Sequence, residues 1–134
     1  MILVFPTVIV LLLGLARWRL RLITVTGRSM TPTLADGRRL LVVRRRRVRA
    51  GDVVVFRMPP STGPTDLAWL VKRAVAVPGD PVPPDLSAWV PGPTVPSGQM
   101  LVRGDNPHSA DSRTFGLVPL ATILGTPLRP LPPP

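Results

Sequence analysis

The chain has no cysteine, no glutamate, one histidine and one lysine among its 134 residues. Without cysteine there is neither a disulfide framework nor a thiolate metal site, and His108 by itself falls short of a zinc site. No metal or cofactor is therefore expected. The missing cysteines are compatible with an extracytoplasmic domain without requiring one. The 19 prolines and 11 glycines exclude long uninterrupted helices beyond the N-terminus, since proline removes a donor and glycine loses the most backbone entropy on ordering. Short strands joined by turns fit this composition better.

Charge is unevenly made. The net charge is +10; every acidic residue is aspartate, and every basic residue except Lys72 is arginine. A charge of this size raises nucleic acid or an anionic membrane surface as partners. The arginine and aspartate bias also fits a GC-rich coding sequence, in which surface lysine drifts to arginine. Guanidinium stays protonated under all physiological conditions, whereas a desolvated ammonium can lose its proton. Lys72 is thus a candidate for chemistry that arginine does not perform, or else a surviving surface lysine.

Residues 1–16 carry no charge and span about 24 Å as a helix, short of a ~30 Å hydrocarbon core. Trp18, Leu20, Leu22 and Ile23 extend the apolar character, while Arg17, Arg19 and Arg21 can reach the headgroups. A single transmembrane anchor over residues 1–23 is the expectation. A cleavable signal peptide competes with it, because Gly14-Leu15-Ala16 offers a small-x-small cut site, but the charged segment that normally precedes the apolar run is missing. The arginines follow that run, which by the positive-inside rule favours a cytoplasmic C-terminal domain.

Beyond the anchor, residues 24–126 read as one compact, mostly β domain, followed by a Pro-rich tail over residues 127–134. Strands are expected at residues 40–43, 53–56, 67–77, 99–103 and 115–124, with the first two forming a hairpin around the arginines at 44–47 and 49. Residues 58–65 read as loop, and 81–97 as a Pro-rich excursion holding at most one short strand.

A serine hydroxyl needs a proton acceptor to become a nucleophile. His108, oriented by Asp105 or Asp111, is one possibility. Lysine is another where burial lowers its pKa, and Lys72 lies between Trp69-Leu70-Val71 and Ala74-Val75, with Arg73 adjacent. Four segments then stand in order: Gly27-Arg28-Ser29-Met30-Thr31-Pro32-Thr33-Leu34; Gly51-Asp52-Val53-Val54-Val55-Phe56; Val71-Lys72-Arg73-Ala74-Val75-Ala76-Val77-Pro78-Gly79-Asp80; and Gly104-Asp105-Asn106 with Ser109-Ala110-Asp111-Ser112-Arg113. Together they resemble the successive boxes of the type I signal peptidases.

The resemblance implies a signal-peptidase-like β domain with Ser29 as acylating nucleophile and Lys72 as general base. The Ser29 N–H would then contribute to the oxyanion hole. Gly27 occupies the position where some members carry a serine donor, and Met30 adjoins the nucleophile as an oxyanion-side or substrate-side residue, or as core packing. Ser109 would bond and orient Lys72, Asp105 would pair with Arg73, and Asp111 with Arg113. The segment between Asn106 and Ser109 is one residue shorter than the usual family loop, and Pro107 replaces the common arginine.

The implied activity is serine endopeptidase cleavage of exported preproteins after small residues. It implies the lipid membrane as a further partner and a catalytic domain on the extracytoplasmic side, against the arginine count. Taken singly, Ser29 reads as a turn serine capping local backbone, and the two ion pairs as surface pairs. A maturation protease for one partner precursor, or a non-catalytic basic module tethered to the membrane, are the alternatives. The run at residues 44–49 reads as a solvated hairpin tip, an anionic-lipid contact coming second. Lacking interleaved aromatics, it gives no expectation of nucleic acid.

Overall fold

The computed structural model describes residues 3–57 and 69–134. Helix α1, Val4–Arg19, is apolar on all sides and buries none of its residues. It ends where Leu20 turns extended, at φ −106° and ψ 139°. Among the described residues no helix is long and apolar enough to cross a membrane, and the expected extension of the 1–23 segment as a helix through Ile23 is corrected. Leu20, Leu22 and Ile23 do not lengthen the helix; they belong to strand β1, Leu20–Thr24, antiparallel to β2, Arg39–Arg44. Cross-strand bonding and the burial of Ile23 in the core outweigh one further helical turn on an exposed surface.

The remaining strands are β3, Val53–Phe56; β4, Leu70–Ala76; β5, Gln99–Arg103; β6, Val118–Pro119; and β7, Ile123–Pro127. They form one antiparallel sheet in the order β1-β2-β7-β3-β4-β5-β6. The expected hairpin of β2 with β3 is therefore corrected: the last strand inserts between them, Gly125 facing Arg44 on one side and Val55 on the other. Glycine is needed at 125, since a Cβ there would overlap the Val43 carbonyl. The strand expected over residues 115–124 is divided into a short helix α2, Ser112–Phe115, then β6, a 3-10 turn Leu120–Thr122 and the start of β7. The loop expected at residues 58–65, and the first two residues of the strand expected at 67–77, lie outside the described residues.

Period-two alternation through the sheet separates two cores. Val53, Val55 and Val71 pack with Met30, Leu34 and Val42 on one face, while Val54, Phe56 and Ala74 pack with Met100, Val102 and Val118 on the other. All four residues of β3 are buried, as a strand covered on both faces requires. The excursion at 81–97 holds a 3-10 helix, Pro84–Trp89, and a single bridge between Pro81 and Thr94. Its Leu86, Val90 and Val95 cover Ala76 and Leu101. The tail also docks: Leu131 packs against the first core and the Pro132 carbonyl accepts from Arg73 Nη2 at 2.8 Å.

Candidate active site

Ser29 sits in the loop between β1 and β2, whose neck is closed by Val25 N–H to Arg38 O and Gly37 N–H to Val25 O, both 2.8 Å. Gly27 adopts φ 87°, a left-handed conformation that glycine takes without steric cost, and donates its N–H to Asp36 Oδ1 at 2.9 Å. Gly27 thus shapes the turn with its one backbone donor already engaged. Met30 and Leu34 are fully buried and anchor the loop from beneath, so Met30 acts as core packing. That leaves Ser29 half-buried at the rim, and its N–H makes no hydrogen bond among the described residues.

The loop is fastened from outside by the segment that follows β5. Asn106 N–H donates to Ser29 O at 3.0 Å, and Asn106 Nδ2 to Arg28 O at 3.0 Å and Thr31 Oγ1 at 3.3 Å. Thr33 donates to Asp105 Oδ2 at 2.5 Å. Gly104 lies beneath both parts: a Cβ there would overlap the Ser109 hydroxyl and the Ser29 carbonyl oxygen. Its φ is not in the left-handed region, so the need for glycine is one of close approach. Gly104, Asn106, Thr31 and Thr33 all lie in segments that carry the family resemblance, but the sequence assigns them no role, because turn-type polar residues carry no contact signal of their own.

Lys72 lies mid-strand on β4, paired with Val54, and only 4% of its surface is exposed. It shares the face of Val54 and Ala74. Burial drives its pKa below the ordinary 10.5 of lysine; Asp111 opposes this by attraction and Arg113 assists it by repulsion. Both charges stand on the segment that clamps Ser29, so residues 104–113 connect the serine loop to the lysine.

The expected ion pairs are present. Arg73 Nε and Nη2 hold Asp105 at 2.9 and 2.8 Å, and Arg73 Nη1 donates to Gly51 O at 2.8 Å. Asp105 is held below the usual carboxylate range: burial pushes it up, but the hydrogen bonds from Arg73 and Thr33 and the Arg73 charge more than offset that. Asp111, with no exposed surface, accepts from Arg113 N, Nε and Nη2, from Gly104 N and from Ser109 Oγ. Burial pushes its carboxyl up, yet these donors bring it down to about 2. Ser109 spends its hydroxyl proton on Asp111 at 3.0 Å; among the described residues no hydrogen bond joins it, or Ser29, to Lys72. His108 is exposed, and among the described residues no hydrogen bond joins its ring to Ser29, Asp105 or Asp111.

The site thus holds a buried lysine with lowered pKa, a rim serine whose N–H makes no hydrogen bond among the described residues, and a buried carboxylate that accepts from Gly104, Ser109 and Arg113. The family model for signal peptidase, peptidase S26, matches residues 1–85 and 83–130. The chain belongs to that family. It is 36% identical over 105 residues to mitochondrial inner membrane protease subunit 1 of Schizosaccharomyces pombe, covering 73% of this chain and 64% of the relative. To a probable signal peptidase I-1 of Synechocystis it is 31% identical over 126 residues, covering 72% of this chain and 63% of that protein. The chain thus spans somewhat under two thirds of the length of these relatives. A crystal structure of a signal peptidase I from Enterococcus faecalis V583 aligns at TM-score 0.45 and 23% identity, over 60% of this chain and 96% of that one.

Proposed function

We propose that this protein is a serine endopeptidase in which Ser29 is the nucleophile and Lys72 the general base. The observation that carries this reading is the burial of the only lysine on β4, which favours the neutral amine a base must have. Ser29 Oγ attacks the scissile carbonyl as Lys72 Nζ takes its proton. The oxyanion forms beside the unengaged Ser29 N–H, a donor whose loss can cost about 3 kcal/mol of transition-state stabilisation. The protonated lysine then delivers its proton to the leaving amine, and water activated by the same amine hydrolyses the acyl-enzyme. Asp111 and Ser109 position the segment through which the two halves of the dyad meet, and the Arg73–Asp105 pair fastens the loop that carries Ser29.

Family membership supports exported preproteins as substrates, cut after small residues and bound as an extended strand along the sheet, a mode in which main-chain hydrogen bonds supply affinity. Helix α1, apolar and uncovered, associates the protein with the membrane, and such substrates place the catalytic sheet on the extracytoplasmic side. The test is cleavage of an Ala-x-Ala preprotein by wild type, Ser29→Ala and Lys72→Arg. Wild type cleaves and neither variant does; turnover by Lys72→Arg near the wild-type rate would remove the lysine from the mechanism, since arginine does not serve as the base.

A further inference from the structure

At the end of the sheet where α1 departs, a cleft of about 620 Å³ opens between Trp18, Arg44, Arg45, Arg46, Arg57 and Trp69, floored by the start of β7. Among the described residues no acidic side chain lines it. Arg57 stacks 4.0 Å from the centre of the Trp69 ring, with Arg21 5.6 Å from the same ring and Arg19 5.9 Å from that of Trp18. A guanidinium stacked on an aromatic face keeps its in-plane N–H donors for an anion, and arginine matches phosphate oxygens with paired bonds. Several arginines gathered in one concavity, with no acidic lining residue among those described, repel one another, a cost offset when an anion enters.

The surroundings of the cleft are apolar. All of α1 is uncovered and its C-terminal end supplies Trp18. On the opposite face of β1 and β2 from Arg21, Leu22 and Leu41 pair across the strands, both exposed. An arginine-lined cleft at the foot of an exposed apolar helix matches a ligand with an anionic head and acyl chains, and tryptophan with arginine is the pairing favoured at the membrane interface.

We infer that this cleft binds the phosphate headgroup of an anionic phospholipid and seats the sheet on the membrane surface. The inference deepens the membrane association proposed above and rests on it. It also gives the arginines at 44–46 a function that a solvated hairpin tip lacks.

The experiment uses the full chain in neutral-detergent micelles. Trp89, outside the cleft, is replaced by phenylalanine so that fluorescence reports Trp18 and Trp69. The protein is titrated with dihexanoyl phosphatidylglycerol, dihexanoyl phosphatidylcholine, inorganic phosphate and a single-stranded oligonucleotide. Phosphatidylglycerol is expected to bind most tightly. Arg45→Gln/Arg46→Gln, on an exposed segment, should weaken it by about tenfold or more, the loss expected for hydrogen bonds to a charged group. Arg38→Gln/Arg39→Gln removes the same charge at the far end of β2 and should change binding by less than about twofold.

Equal weakening by the two double variants, equal affinity for phosphatidylcholine, inorganic phosphate binding as tightly as the lipid, or tighter binding of the oligonucleotide would each overturn the inference. Ser29→Ala should bind the lipid as wild type does. Lipid selectivity in a protein that cleaves no preprotein would therefore sink the proposed function and leave this site standing, and cleavage without selectivity would do the reverse.

Discussion

Replacing Asp111 by asparagine isolates the buried carboxylate that ties Gly104, Ser109 and Arg113 together. Asp111 is wholly buried and receives hydrogen bonds from Gly104 N, Ser109 Oγ and three nitrogens of Arg113. Its carboxyl stands at about 2 against an ordinary 3.8, a difference worth about 2 kcal/mol of folding stability at ~1.4 kcal/mol per pH unit. Because the folded value is depressed, that stability is fully present above pH 3.8 and is lost as the pH falls through about 2. Asparagine forfeits it at every pH and turns an amide donor toward groups that are themselves donors, so about 3 kcal/mol should be lost at pH 7. Urea unfolding in neutral detergent, followed by tryptophan fluorescence at pH 7, 4 and 2.5, measures both effects. Wild type should weaken between pH 4 and 2.5, and Asp111→Asn should weaken distinctly less over the same interval. A variant within about 0.5 kcal/mol of wild type at pH 7, or one with an unchanged acid response, would refute the role given to this carboxylate.

Arg73→Ala leaves Asp105 buried without its bidentate partner and releases Gly51 O and Pro132 O, so a loss of about 3 to 5 kcal/mol is expected in the same unfolding assay. Arg73→Lys retains the charge but not the fork, and should fall between alanine and wild type. Gly104→Ala introduces a Cβ into the Ser29 carbonyl and Ser109 hydroxyl; overpacking there should cost about 1 to 3 kcal/mol, with kcat for peptide cleavage reduced more than KM is raised. The pH profile of kcat/KM should rise with pH through a Lys72 pKa below 10.5. Asp111→Asn removes a charge that favours the ammonium and should move that limb to lower pH, whereas Arg113→Gln removes one that disfavours it and should move the limb to higher pH.

Legibility in the sequence followed the range of the interactions. The Val53–Phe56 strand and the strand bearing Lys72 were readable because β-branched runs bounded by Gly-Asp and Pro-Gly turns are local signals. Lys72 itself stood out as a lysine in an arginine background, and its burial is the physical counterpart of that oddity. Sheet order was not readable: β7 enters between β2 and β3 because Gly125 lets the backbone approach Val43, and nothing within the 39–56 segment announces a partner some seventy residues away. Leu20–Thr24 was absorbed into the N-terminal apolar run because leucine and arginine suit helix and strand alike. At the site, Ser29 gained its meaning from the ordered family segments, while the hold exerted by Asn106 and Thr33 depends on a loop-to-loop contact that turn residues do not advertise. The arginines at 44–46 were visible as charge, but the cleft they make with Trp18 and Trp69 exists only after folding.

The proposed dyad is tested most directly by trapping the covalent intermediate it requires. An activated ester of an Ala-x-Ala peptide is mixed with the protein, the reaction is quenched in acid within the first turnover, and the modified residue is located by mass spectrometry. The acyl group should appear on Ser29 in wild type and on no residue in Lys72→Arg, whose guanidinium leaves the hydroxyl proton in place. Acylation at another residue in wild type, or of Ser29 at an undiminished rate in Lys72→Arg, would contradict the assignment of Ser29 and Lys72 as nucleophile and base.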